Sequence, residues 1–415
     1  MLMKEPEWLT SLRKRALSML DKAPEPKYGA KIDFALFDKN PVVHDEVSDI
    51  SELPSDVAKA LDQLALTKVK ALGLTVHVDA STILKELLDV PKGVVIMDIE
   101  EALLKYDELR KYWFGVFPLT LNKLSLFHAA YSRGGVFIRV PRGMRLKKPI
   151  QSCFIVSSSK YAQLPHNIII AEPESEVHII TGCTAPRAVK EAFHAGLTEV
   201  YIMKNARVTL TTIEIWPYDM HARPLAGIRV EEGGEFIENY ILLKPPRTLQ
   251  TYPTAVLKGE KSTCLMRSIL VGLKKSNVDS GSAVYLFGEK SRAKIVSRAV
   301  AFHESRIAQR TKIWSTKPGT YGYVDCRGLI IGEKASLSTY PALIADHKES
   351  NLVHESAIGR IAEEELFYLM ARGLSEEEAT GLLIRGFLDP GILNLPPEIT
   401  KEIERVIQLT AEQAL

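Results

Sequence analysis

The sequence predicts a mainly β protein built on a parallel β-helix or a similar β-solenoid, with helical regions at both ends. Three observations predict it. Between residues 134 and 357, short runs of Val, Ile, Thr and Phe alternate with small turns. The turns resemble one another and return about every thirty residues. On either side of this stretch the apolar spacing becomes helical. A strand-rich unit of that length is too small to bury its own core, so it must stack on its neighbours.

The first region, 1–133, alternates helical patterns with Pro-containing loops. Trp8, Leu9, Leu12, Ala16, Leu17 and Leu20 recur at helical spacing, and "KAPEPKYG" at 22–29 breaks the helix. Further amphipathic stretches are expected at 55–72 and 99–113. No catalytic motif shows here, which fits a capping or partner-facing role.

The middle region, 134–357, carries the repeat. Its turns are "PRGMRL", "EPESEV", "KNARV", "EGGEF", "GEKSTC", "GEKSRA" and "GEKASL". Their small residues are Gly143, Ser175, Ala206, Gly234, Ser262, Ser291 and Ala335, at successive gaps of 32, 31, 28, 28, 29 and 44. Some seven to eight coils are expected. The 44-residue gap predicts an inserted loop at 315–323, "STKPGTYGY". The Gly-Glu-Lys turns lack the spacing of a phosphate-binding loop, so they are read as corners.

The last region, 358–415, is helical. "EEELFYLMAR" ends at Gly373, a residue suited to the left-handed position after a helix. Ser375 and Glu378 predict a capping box for the next helix, expected to stop at Gly386. "LPPEITKEIERVIQLTAEQAL" closes the chain, with proline at the helix start. These helices can cap the solenoid, dock a partner, or do both.

Composition excludes several function classes. The 415 residues suit two or three domains. Lys plus Arg is 53 and Asp plus Glu is 51, a net charge of +2, which makes no electrostatic case for nucleic acid or an anionic membrane. No apolar run approaches the ~18 residues of a membrane span. The charged start does not read as a secretory leader, so a cytoplasmic location is expected. Cys153, Cys183, Cys264 and Cys326 are far apart and form no C-x-x-C pair. That gives no indication of a closed zinc site or a ferredoxin-type site and predicts free thiols, with Cys153 and Cys264 as small core residues.

The repeat gives sequence distance a meaning. Cys326 and His354 are 28 residues apart, one period, so they are expected on adjacent rungs ~4.8 Å apart with Glu355 beside them. Thiolate, imidazole and carboxylate together can bind a transition metal. A Cys-His nucleophile pair is the other reading, but no oxyanion-hole context supports it. The plain alternative is a hydrogen-bonded His at an element boundary. In "EVHIITGCTAP", alternation sets Val177, Ile179, Thr181 and Cys183 on one inward face. Cys183 and Cys326 are 143 residues apart, four to five coils, hence roughly 20–25 Å along the axis.

"GGVFIRVPRGMRLKKPIQ", "GCTAP", "YVDCRGLIIGEKASLSTYPAL" and "HESAIGRIAEEELFYLMARGLSEEEATGLLIRGF" resemble the SufB/SufD family of iron–sulfur cluster assembly scaffolds. The resemblance covers the middle and last regions, and "EPEWLTSLRKRALSMLDKAPEPKYG" looks like a SufB N-terminus. It implies a right-handed parallel β-helix between helical domains, and a scaffold rather than an enzyme. It implies an ABC-type ATPase, SufC, docking on the C-terminal helices, and pairing as a homodimer or with a SufD-like subunit. A sulfur donor and apo-protein acceptors are the other implied partners. The cargo it implies is a transient iron–sulfur cluster of 4Fe–4S type. Residue by residue, Cys326 matches the cysteine of cluster assembly, and His354 and Glu355 match the family's His-Glu pair. Cys183 matches the sulfur-accepting cysteine, Trp216 a tryptophan on the sulfur route, and Glu214 stands where bacterial SufB has Gln. Val353 stands where bacterial SufB has Glu, and Ile155 where an Arg is expected. The alternative is a SufD-like partner without a cluster, against which Cys326 speaks. A polysaccharide-cleaving β-helix would need an outer cleft of carboxylates, and the acids here are dispersed.

Overall fold

The recurring turns form the corners of a solenoid. The backbone is left-handed at Glu174, Asn205, Gly233, Lys261, Lys290 and Gly319. The next residue is small and buried in each case: Ser175, Ala206, Gly234, Ser262, Ser291 and Thr320. Three of the serines close their turns, each Oγ donating 2.7 Å to the carbonyl three residues earlier. Gly259 and Gly288 are required where corners stack, because a Cβ on Gly259 would overlap the backbone of Glu232 and one on Gly288 that of Gly259. The Gly-Glu-Lys turns are therefore corners, as expected.

The computed structural model describes residues 5–64, 66–393 and 395–414. It is mainly β, with about eight turns of parallel β-solenoid and helices toward both termini. One wall carries Ile150–Ile155, Glu176–Thr184, Arg207–Ile215, Glu235–Lys244, Thr263–Gly272, Arg292–Ala301, Tyr321–Ile330 and Asn351–Gly359, side by side. The other runs from His166–Ala171 through Leu197–Ile202, Leu225–Val230, Thr254–Leu257, Asn277–Leu286 and Arg306–Ser315 to Ser336–Ala345. Val177, Val208, Phe236, Met266, Ile295 and Val324 on the first wall share one core with Val200, Ile228, Leu257, Leu286 and Ile313 on the second.

Two expectations are corrected here. No loop is inserted at 315–323. Thr320, 29 residues after Ser291, is the next corner of that edge, and Ser350 follows 30 later. Ala335 belongs to the other edge, 30 residues after Ser305. The two edges share turn chemistry, and the gap of 44 came from crossing between them. The boundary at residue 134 also shifts, because strand Gly73–Val78 pairs in parallel with Ile150–Ile155 and begins the first wall.

Helix Glu7–Leu20 forms where its spacing predicts and packs through Ala16 on Leu126 and Ala129 of helix Lys123–Tyr131. At the other end, the outer side of the first wall presents Ile213, Ile241, Ile269 and Val300. Ile384 and Leu388 of helix Glu376–Leu388 and Ile399 and Ile403 of helix Pro397–Ala414 cover them. The Ser375–Glu378 capping box is present. The helix does not stop at Gly386; it runs to Leu388 and ends on Asp389 in the left-handed region. Helix Glu363–Met370 buries no side chain. Among the described residues, no helix is long and apolar enough to cross a membrane.

Candidate functional site

Cys326 lies in the middle of strand Tyr321–Ile330 with its side chain in the solenoid core. Its neighbours in register are Ser297 on one side and Ser356 on the other. The local period is therefore 30, not 28, and His354 falls opposite Val324. Strand alternation still sets His354 on the inward face, two residues along from Cys326, roughly 8 Å between Cα atoms. His354 Nε2 is buried and has no hydrogen-bond partner.

Glu355 falls opposite Asp325 and faces outward, exposed, close enough to the Tyr323 hydroxyl to raise its pKa. Cys326 and His354 are expected on adjacent rungs with Glu355 beside them; the register offsets the first two by two residues and sets Glu355 on the opposite side of the wall. Among the described residues no three His, Cys, Asp or Glu side chains are grouped to hold a metal ion. Within one chain the arrangement is a thiol and an imidazole.

Burial pushes the Cys326 thiol up to about 11, with the Asp325 charge adding to it; Thr311 and Arg298 pull the other way. Asp325 lies outside the wall, 2.7 Å from Arg298 and 3.1 Å from Arg327. The thiol is therefore held protonated at neutral pH, and a metal that bound it would have to displace that proton.

Cys183 sits between Phe154 and Glu214 on the same wall. Its thiol is raised far above its usual range by burial, then by Glu214 and Cys153. Glu214 is fully buried, and burial lifts its pKa to about 7. Trp216 Nε1 donates to Glu214 Oε2 at 2.9 Å, and the Trp216 ring lies 5.1 Å from that of His194. The structure thus brings Cys183, Glu214 and Trp216 together. It separates Cys183 from Cys326 by five strand steps, about 24 Å. Ile155 points the other way, into the cluster under the outer helices.

The sequence reading missed what lies between. Thr181, Thr212, Tyr240, Ser268, Ser297 and Cys326 are successive partners in register across the first wall. The column starts two residues from Cys183 and ends on Cys326, with a hydroxyl or thiol at every step. Ser268 Oγ donates 2.8 Å to Ser297 Oγ, and Gln309 Nε2 reaches across the core to Ser297 at 2.7 Å. The signal was in the sequence as polar residues at intervals of 28 to 31, set among Val and Ile.

A parallel β-solenoid with three buried thiols on one interior wall, Cys183, Cys264 and Cys326, the last beside a buried imidazole nitrogen without a partner, is the class that fold and site define. The family described as "SUF system FeS cluster assembly, SufBD core domain" matches residues 154–387, which hold all six of these site residues. The chain is 35% identical to an iron–sulfur cluster assembly SufBD family protein of Pyrococcus horikoshii, over 98% of this chain and 93% of that one. It is 37% identical to one of Methanothermobacter thermautotrophicus, over 95% and 98%. It is 28% identical to the iron–sulfur cluster assembly protein SufB of Bacillus subtilis, over 99% and 91%. The chain belongs to the SufBD family of iron–sulfur cluster assembly proteins.

Proposed function

We propose that this chain is a SufB-type scaffold, not itself an enzyme. It takes up sulfur at Cys183, assembles a transient cluster of 4Fe–4S type at Cys326 and His354, and hands it to apo-proteins. Sulfur arrives by exchange with a donor persulfide: the sulfane sulfur bonds to Cys183, and the donor leaves as a thiol. The observation that carries this reading is the unbroken hydroxyl column from the strand of Cys183 to Cys326. Hydroxyls in an aliphatic core are costly unless hydrogen-bonded, and here Ser268, Ser297 and Gln309 bond one another along the track. One thiolate and one imidazole hold iron more loosely than four thiolates, which suits a cargo that must leave.

A second subunit would complete the ligand set. Strands Ser336–Ala345 and Asn351–Gly359 each pair on one side only, and Tyr340, Ile344, Val353 and Ile358 are exposed there. Such an edge favours pairing with another chain, either a second copy or a SufD-like subunit. Glu355, on the outer face of that last strand, acts across this contact. Helix Glu363–Met370, with Phe367 and Tyr368 exposed, is the docking element for the SufC-type ATPase.

Anaerobic reconstitution with iron and sulfide tests the assignment. The wild-type chain should develop a visible chromophore that Cys326→Ala abolishes. A Cys326→Ala protein that reconstitutes normally would overturn it, and a wild-type chain that never colours would fit a SufD-like partner instead.

A further inference from the structure

We propose that Gln309, on the wall facing Cys326, is a further ligand of the assembly site, giving its side-chain amide oxygen to the iron that Cys326 binds. The inference rests on the reading of Cys326 as the assembly cysteine.

Gln309 lies in strand Arg306–Ser315 of the second wall and points inward, in step with Ile307 and Ile313, which lie in the core. It is 1% exposed. Two bridges across the interior bracket Cys326. On one side Gln309 Nε2 donates 2.7 Å to Ser297 Oγ; on the other, the Thr339 and Ser356 hydroxyls lie 3.0 Å apart. Ser297 and Ser356 are the two neighbours of Cys326 in register, and Gln309 and Thr339 are neighbours of each other. Thr311, the next inward residue after Gln309, donates a hydrogen bond to the Cys326 sulfur. The sulfur therefore faces the stretch of second wall that carries Gln309 and Thr311.

The amide is anchored at one end only. Its Nε2 also lies 3.5 Å from the Arg327 carbonyl oxygen, a position that suits a donor and not a second oxygen. That orientation leaves Oε1 buried and without a hydrogen-bond partner. Tying Ser297 needs the nitrogen alone and does nothing for the oxygen. An unmet buried acceptor is costly, and a cation beside it removes that cost. Iron accepts thiolate, imidazole and oxygen ligands. An amide oxygen is neutral, so it fills a coordination position without adding charge, which suits a cargo that must leave.

The test is anaerobic titration of the full chain, without sulfide, with cobalt(II) as a spectroscopic stand-in and with ferrous iron in competition with a coloured chelator. The wild type should show a thiolate-to-cobalt band in the near ultraviolet that Cys326→Ala abolishes. Gln309→Leu should keep that band, change the visible ligand-field bands and bind ferrous iron at least tenfold more weakly. Gln309→Glu, which keeps an oxygen at that position, should bind ferrous iron within about threefold of wild type or more tightly. Circular dichroism checks that the variants fold. Wild-type ligand-field bands and affinity in Gln309→Leu would overturn the proposal and leave Cys326 standing. Equal weakening in Gln309→Leu and Gln309→Glu would also overturn it, because the amide would then serve only to tie Ser297. A near-ultraviolet band that survives in Cys326→Ala, or is missing from the wild type, would end the reading of Cys326 and this proposal with it.

Discussion

Cys326 and His354 lie diagonally across two neighbouring strands on one interior face, His354 opposite Val324 and Cys326 opposite Ser356. Glu355, next in the chain, is on the other side of the wall. This separates two roles that adjacency in sequence would merge. His354→Gln should reduce the iron–sulfide chromophore of the isolated chain severalfold, and Glu355→Gln should leave it within twofold. Both fold changes should be small, within about 0.5–1 kcal/mol, because neither side chain is a packed core residue. Equal loss in the two variants, measured by absorbance per chain, would contradict the register.

The hydroxyl column makes a sharper demand. Ser297→Ala removes the group between Ser268 and Cys326 and leaves Gln309 Nε2 without its 2.7 Å partner. Stability should fall by about 1–2 kcal/mol. Delivery of labelled sulfur from Cys183 to Cys326, followed by mass spectrometry, should slow at least tenfold, while direct reconstitution with iron and sulfide stays near wild type. Unchanged delivery would show that sulfur takes another path.

The fold was legible because solenoid corners repeat their chemistry: Ser175, Ser262 and Ser291 do the same job with the same bond. The register was less legible. A repeat of 28 to 32 residues fixes which strands are neighbours but leaves an uncertainty of two residues, one step of side-chain alternation. That is why Cys326 and His354, one period apart by spacing, are offset by two residues in register. Ala335 misled for a related reason, since both edges use the same turn. The Glu214 environment was hidden from sequence because its raised pKa comes from burial, a property of the closed solenoid rather than of any motif. The hydroxyl column could have been read from spacing, but only by looking for polar residues inside an apolar pattern.

Buried carboxyls set the pH dependence of stability. Glu238 has its pKa raised by burial to about 8, against the ordinary carboxylate value near 4.5. Between those values the folded chain holds a proton that the unfolded chain has lost. Its contribution is therefore complete below pH ~4.5 and is lost as pH rises through 8. Buried His77 and His194, lowered to about 3, act in the opposite sense, losing their contribution as pH falls below ~6.5. Urea midpoints should peak on the mildly acidic side of neutrality and drop toward pH 9. Glu238→Gln should flatten the alkaline drop, gaining on the order of 2–4 kcal/mol over wild type between pH 5 and 9. Parallel curves for the two proteins would mean that Glu238 is ionised in the fold.

Helix Glu363–Met370 packs only lightly on its own chain, touching helix Glu376–Leu388 with Leu366, Leu369 and Met370 half-buried. It is eight residues long, buries no side chain, and exposes Phe367 at 61% and Tyr368 at 58%. Glu363, Glu364 and Glu365 complement the positive end of its dipole, which offsets only part of the cost of so short a helix. A partner that covers the two rings would supply the rest. Replacing Phe367 and Tyr368 together by Ala should leave the melting temperature within about 2 °C, since exposed changes cost within about 0.5 kcal/mol. The same variant should bind the proposed SufC-type ATPase at least tenfold more weakly, about 1.4 kcal/mol, measured by titration of the purified proteins. A large fall in melting temperature with unchanged ATPase binding would assign the two rings to this chain's own packing and move the docking surface elsewhere.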